Sequence, residues 1–191
     1  MQSSVISSPP DDRETDADAV MRLFDACFLA SHNTVLVRGD DEPVYLPADA
    51  DCPRHRVVFA HGFCASALHE AAHWCIAGAA RRRLPDYGYW YAPDGRNREQ
   101  QRAFEQVEAR PQALEWIFSK AAARRFRLSV DNLGGEATDP EPFRRAVWAA
   151  LEAYCEKGLN ARAERFRARL AAHFGGPQAL RLEDFCRREL D

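Results

Sequence analysis

No two of the six cysteines are spaced as Cys-x-x-Cys. They stand at Cys27, Cys52, Cys64, Cys75, Cys155 and Cys186, a scatter that supports neither a zinc knuckle nor a thioredoxin-like redox motif. Cys75 falls in an apolar, helical run, where a free thiol behaves as a small hydrophobe. Long hydrophobic runs are also missing. No stretch approaches the ~20 apolar residues of a membrane span, and the N-terminus lacks the short apolar block of a signal peptide. A reducing cytoplasm, with free thiols and no membrane contact, is the expected setting. There is no basic excess either: the net charge is -3 and the pI about 6.1, so the overall field does not point to direct nucleic-acid binding. The arginines at 81, 82 and 83, and at 162, 165, 167 and 169, read as solvated helix faces. No internal repeat is visible, which excludes the solenoid and propeller architectures.

What is present is enough to build a core. With 191 residues and 46% hydrophobic content, the chain can bury a sizeable interior as one domain. Residues 1–16 are rich in Ser, Pro and Asp and read as a disordered tail, leaving 17–191 as a single metal-dependent catalytic domain. Apolar residues at Val20, Leu23, Phe24, Cys27 and Phe28 recur with helical spacing, and Asp16 is placed to cap that helix. Short strands are expected at Thr34–Arg38, Val44–Leu46 and Val57–Ala60, and again at Asp86–Tyr91 and Phe126–Val130. A helix is predicted from Ser66 to about Arg82, another from Glu99 to Ala123 with a possible break at Pro111, and mostly helix from Glu141 to Leu190, broken at Gly158 and Gly175-Gly176-Pro177. The fold class is therefore α+β: a small sheet, a His-Glu-x-x-His helix and a helical C-terminal portion.

The chemistry concentrates in Ser66-Ala67-Leu68-His69-Glu70-Ala71-Ala72-His73-Trp74. Residues four apart on a helix lie about 40° apart around its axis, so His69 and His73 project side by side and can bind one divalent ion. Glu70, about 100° round from His69, would stand near the ion as an acid–base group rather than on it. A third ligand must come from elsewhere. Phe104-Glu105-Gln106-Val107-Glu108 offers two carboxylates three residues apart; Glu108 is the first choice and Glu105 the second, the other serving as partner to a ligating imidazole. His61, after a strand and before the motif helix, is a candidate ligand, donor or substrate contact. Two histidines and one carboxylate leave coordination positions open. That set suits hydrolytic zinc, with Glu70 as base, and equally non-haem iron(II). Spacing alone does not choose between them.

Several blocks resemble the bacterial elongation factor P hydroxylase family. They are Arg38-Gly39-Asp40-Asp41-Glu42-Pro43-Val44-Tyr45-Leu46-Pro47-Ala48-Asp49, Phe59-Ala60-His61-Gly62-Phe63, His69 through Gly78, Gly88 through Arg96, and Phe104 through Glu108, in that order. The resemblance implies a monooxygenase-type hydroxylation of the modified lysine of elongation factor P, with that factor and molecular oxygen as partners. It also implies a metal site, with iron(II) as the favoured ion, mapping onto His69, His73 and Glu108. No motif identifies an organic co-substrate such as 2-oxoglutarate. For a long lysine derivative, Tyr45 and Tyr89 offer aromatic walls, and Asp40, with Asp41 and Glu42 beside it, offers acceptors for ammonium groups. The alternative from the helix motif alone is a zinc-dependent hydrolase or peptidase.

Overall fold

The computed structural model describes residues 12–86, 95–130 and 139–191. A first helix, α1 (Asp12–His32), leads into a small sheet of β1 (Thr34–Arg38), β2 (Val44–Leu46) and β3 (His55–Phe59). Four helices follow: α2 (Cys64–Ile76), α3 (Arg98–Ala121), α4 (Glu141–Lys157) and α5 (Ala161–Phe174), with short 3-10 turns at Arg81–Arg83, Leu182–Asp184 and Arg187–Leu190. A small mixed sheet with a mainly helical C-terminal region is thus an α+β fold.

The strand order is β1-β3-β2, with β1 parallel and β2 antiparallel to β3. Both outer edges carry a partner. The Leu36 amide in the middle of β1 donates to Asp25 Oδ1 of α1 at 3.0 Å. On the other side, Tyr45 and Asp86 exchange two backbone bonds of 2.8 and 2.9 Å. The chain leaves β3 through His61 and Gly62, both at positive φ (57° and 69°). At Gly62 a side chain would be strained by that backbone and would also meet the Arg38 guanidinium. The turn delivers α2, whose Ser66 Oγ accepts from the Ala60 amide at 3.1 Å.

Helix α2 packs against α3, and small residues make this possible: Ala67, Ala71 and Ala72 are fully buried. Behind them, Phe24, Phe28, Trp74, Phe118 and Phe166 form a continuous aromatic cluster, with ring centroids 4.7–5.5 Å apart for Phe28–Trp74, Phe24–Phe28, Phe118–Phe166, Phe24–Trp74 and Phe24–Phe166. A second cluster joins Trp116 to Phe126 and Phe185. The six cysteines are free thiols. Among the described residues no helix is long and apolar enough to cross a membrane.

Four expectations need correction. Asp16 lies inside α1, not at its cap, and its carboxylate pairs with Arg124. Helix α2 stops at Ile76, six residues before the expected end at Arg82, where Ala77 turns extended. Side chains take the carbonyls there, one local and two remote in sequence: Arg82 bonds Ala77 at 2.5 Å, Asn160 bonds Cys75 at 3.0 Å, and Arg162 bonds Cys75 and Ala77 at 2.8 and 2.6 Å. Helix α3 runs unbroken through Pro111; the carbonyl deprived of its partner is that of Val107, a residue on the exposed side of the helix. Residues 126–130 form no strand. Their backbone groups are taken by side chains instead: Ser129 N–H donates to Gln112 Oε1 at 3.0 Å, and the Ser129 carbonyl accepts from Gln112 Nε2 at 2.7 Å. The expected strand 86–91 is represented by Asp86 alone, residues 87–94 lying outside the described residues, as does most of the expected tail.

Candidate metal centre

His69 and His73 project from one face of α2, as four-residue spacing requires, and α3 presents Glu108 to them. The His73 Nε2 and His69 Nε2 atoms are 3.0 Å apart. Glu108 Oε1 lies 3.3 Å from His73 Nε2, and Oε2 lies 3.6 Å from His69 Nε2. One donor atom from each of the three residues falls within 4.8 Å of the others.

This arrangement fits a divalent ion on two grounds. Nitrogen ligands about 2.1 Å from a metal and at right angles to one another stand about 3.0 Å apart, which is the separation of the two imidazoles. In addition, Glu108 Oε2 is buried and makes no hydrogen bond. A buried carboxylate oxygen without a donor is costly, and a cation would satisfy it.

Sequence reasoning overlooked Glu115. It follows Glu108 by seven residues, two turns along α3, and so shares its face. Glu115 Oε2 lies 2.8 Å from His69 Nδ1. The available signal was a lone acid inside Ala113-Leu114-Glu115-Trp116-Ile117-Phe118, where nothing but a specific partner would tolerate a charge. Glu105, expected as the runner-up ligand or as partner to an imidazole, instead accepts from Gln101 Nε2 at 3.1 Å, and Gln101 Oε1 in turn accepts from Arg96 Nε at 2.9 Å.

Electrostatics reflect this crowding. Burial alone would lower the His69 pKa, but its hydrogen bond to Glu115 and the charges of Glu115, Glu108 and Glu70 push it up to about 10. Burial works to raise the Glu108 carboxyl, yet the adjacent His73 and His69 outweigh it and hold Glu108 below the ordinary carboxylate value. Glu70 and Glu115 are both raised, burial being the largest cause. Three carboxylates converging on two imidazoles form a pocket that attracts positive charge, a proton or a metal ion alike.

Glu70 and His73 also line a small cavity of about 50 Å3 with Tyr45, Val57, Trp74 and Asp86. Tyr45 is held there by its hydroxyl, which donates to the Arg82 carbonyl at 2.9 Å. His61 and Asp40 come together elsewhere, at the exposed turn before α2, where the His61 amide donates to the Asp40 carbonyl at 2.8 Å. Neither lines the cavity beside His73. Tyr89 falls outside the described residues.

Comparison with known proteins agrees with the geometry. A relative from Haemophilus influenzae, elongation factor P lysine hydroxylase, is 48% identical over 172 residues, which is 90% of this chain and 97% of that protein. Residues 23–185 match the model of the elongation factor P hydroxylase family. With most of its length matched on both counts, the chain belongs to the elongation factor P hydroxylase family.

Proposed function

We propose that this protein hydroxylates the modified lysine of elongation factor P, in the cytoplasm, with iron(II) as its metal, molecular oxygen as co-substrate and a two-electron reductant, one oxygen atom entering the lysine and the other leaving as water. The observation that carries the reading is the meeting of His69, His73 and Glu108 in a member of this family. Two neutral imidazoles and one carboxylate would hold the ion on one side and leave the other positions open. Bound iron(II) supplies the redox chemistry that no side chain of the protein can provide.

The chain's own residues do the rest. Apolar residues of α2 and α3 back the ligands on the core side, while the half-buried Glu70 borders the cavity beside His73. There it is placed to accept or return a proton, burial raising its pKa and so favouring the protonated form. Tyr45 forms the facing wall, suited to the aliphatic stem of a lysine derivative. The free thiols suit a reducing cytoplasm. Family membership favours this reading over the zinc hydrolase that the helix motif alone would allow.

The test is mass spectrometry of modified elongation factor P after anaerobic loading of the protein with iron(II) in the presence of a chemical reductant, with and without subsequent oxygen. The expected result is an oxygen-dependent gain of one oxygen atom on the modified lysine, lost in His73→Ala. No gain from a metal-loaded protein and a correctly modified substrate would refute the proposal.

A further inference from the structure

We infer that Glu115 is a positioning residue of the metal centre: its carboxylate accepts the hydrogen bond from His69 Nδ1 and so commits Nε2, across the ring, to the ion. The inference rests on reading His69, His73 and Glu108 as the metal ligands. The two ring nitrogens of His69 face different partners. Nε2 of His69 stands 3.0 Å from His73 Nε2, among the ligand atoms, while Nδ1 stands 2.8 Å from Glu115 Oε2. A neutral imidazole carries one N–H and one lone pair. A carboxylate only accepts, so it draws the proton to Nδ1 and leaves the lone pair on Nε2, facing the metal position.

The surroundings show that Glu115 is there for this contact. It is 7% exposed, between Leu114 and Trp116, both at 0%. An acid in such a place is expensive to bury, and packing alone would be better served by an apolar residue. The spacing adds to the point. Glu108 and Glu115 are two turns apart on one face of α3, so a single rigid helix sets both the carboxylate that faces the ion and the carboxylate behind the imidazole. His69 is thereby held from both ends, and its ring cannot rotate away without losing the Glu115 bond.

The experiment measures cobalt(II) binding by chelator competition on the full chain, together with 15N NMR of the histidine rings in the zinc-loaded protein. Glu115→Gln is nearly isosteric and can either accept from or donate to Nδ1, so it removes the tautomer control with little change of shape. Its expected affinity is lower on the order of tenfold to a hundredfold, and the protected His69 Nδ1–H resonance of the wild type weakens or disappears. Glu105→Gln, which removes another buried carboxylate from the same helix, should leave both readings unchanged. Wild-type affinity and an intact Nδ1–H signal in Glu115→Gln would overturn the inference. So would an equal loss in Glu105→Gln, which would make the effect one of bulk charge. If the wild type itself binds no cobalt, the metal reading falls first and this one with it.

Discussion

Metal binding should raise the thermal stability of this protein by an amount that grows with pH. With the ion at a hundred times its dissociation constant, the native state gains about 2.7 kcal/mol. For a chain of this size each kcal/mol corresponds to about 2–4 °C in Tm, so a gain of about 5–11 °C is expected. The pH dependence follows from His69. In the metal-free protein its pKa is pushed up to about 10 from an ordinary 6.5, so at neutral pH the ion must displace a proton. Each pH unit up to that value then strengthens binding by up to about tenfold, about 1.4 kcal/mol. The metal-free protein moves the other way. The stability contributed by protonated His69 is fully present below pH 6.5 and is lost as pH rises toward about 10. The raised carboxyls of Glu70 and Glu115 act in the same direction, favouring the protonated folded state and weakening it as pH rises above the ordinary carboxylate range. Thermal melts with and without cobalt(II), from pH 6 to 8, give both slopes. A Tm gain that is flat across this range, or a full gain in His73→Ala, would refute the reasoning.

Three further outcomes test the scaffold. Gly176→Ala would drive a methyl group into the Ala121 carbonyl at the end of α3, costing about 1–3 kcal/mol, visible as a lower urea midpoint. Gln112→Leu would remove both of its hydrogen bonds to the Ser129 backbone at about 1–3 kcal/mol, and amide exchange at Ser129 should accelerate more than exchange in α5. Phe166→Ala would empty the centre of the aromatic cluster against Phe24 and Phe118 at about 3–5 kcal/mol, while in the surviving folded fraction the order of metal preference should be unchanged.

The parts of the site that were legible in the sequence are those set by local geometry. His69 and His73 meet because a helix brings every fourth residue round to the same side, and no tertiary knowledge is needed for that. Glu108 was only a ranked choice, because three-residue spacing puts Glu105 on nearly the same face and only the packing of α2 on α3 decides between them. Glu115 was missed because its partner lies 46 residues away in sequence. The end of α2 and the conformation of 126–130 were illegible for a related reason. Side chains of Arg162, Asn160 and Gln112, brought in by tertiary folding, satisfy backbone groups that pattern reading assigns to helix or strand. Pro111 shows the converse: a strong local breaker is overridden where the proline and the residues that follow it, Gln112, Ala113 and Leu114, are buried in the core.

The treatment of the sheet's two margins bears on how a protein substrate can approach. An open strand margin invites an incoming chain to extend the sheet with its own backbone, the recognition mode of many peptide-binding domains. Here Asp25 occupies the outward amide at the middle of β1, and Asp86 takes both outward backbone groups of Tyr45 in β2. Among the described residues, the middle of each margin is therefore already engaged. An extended segment could join the sheet only by displacing these contacts, which favours engagement of a folded partner through side chains and surface shape around its target lysine.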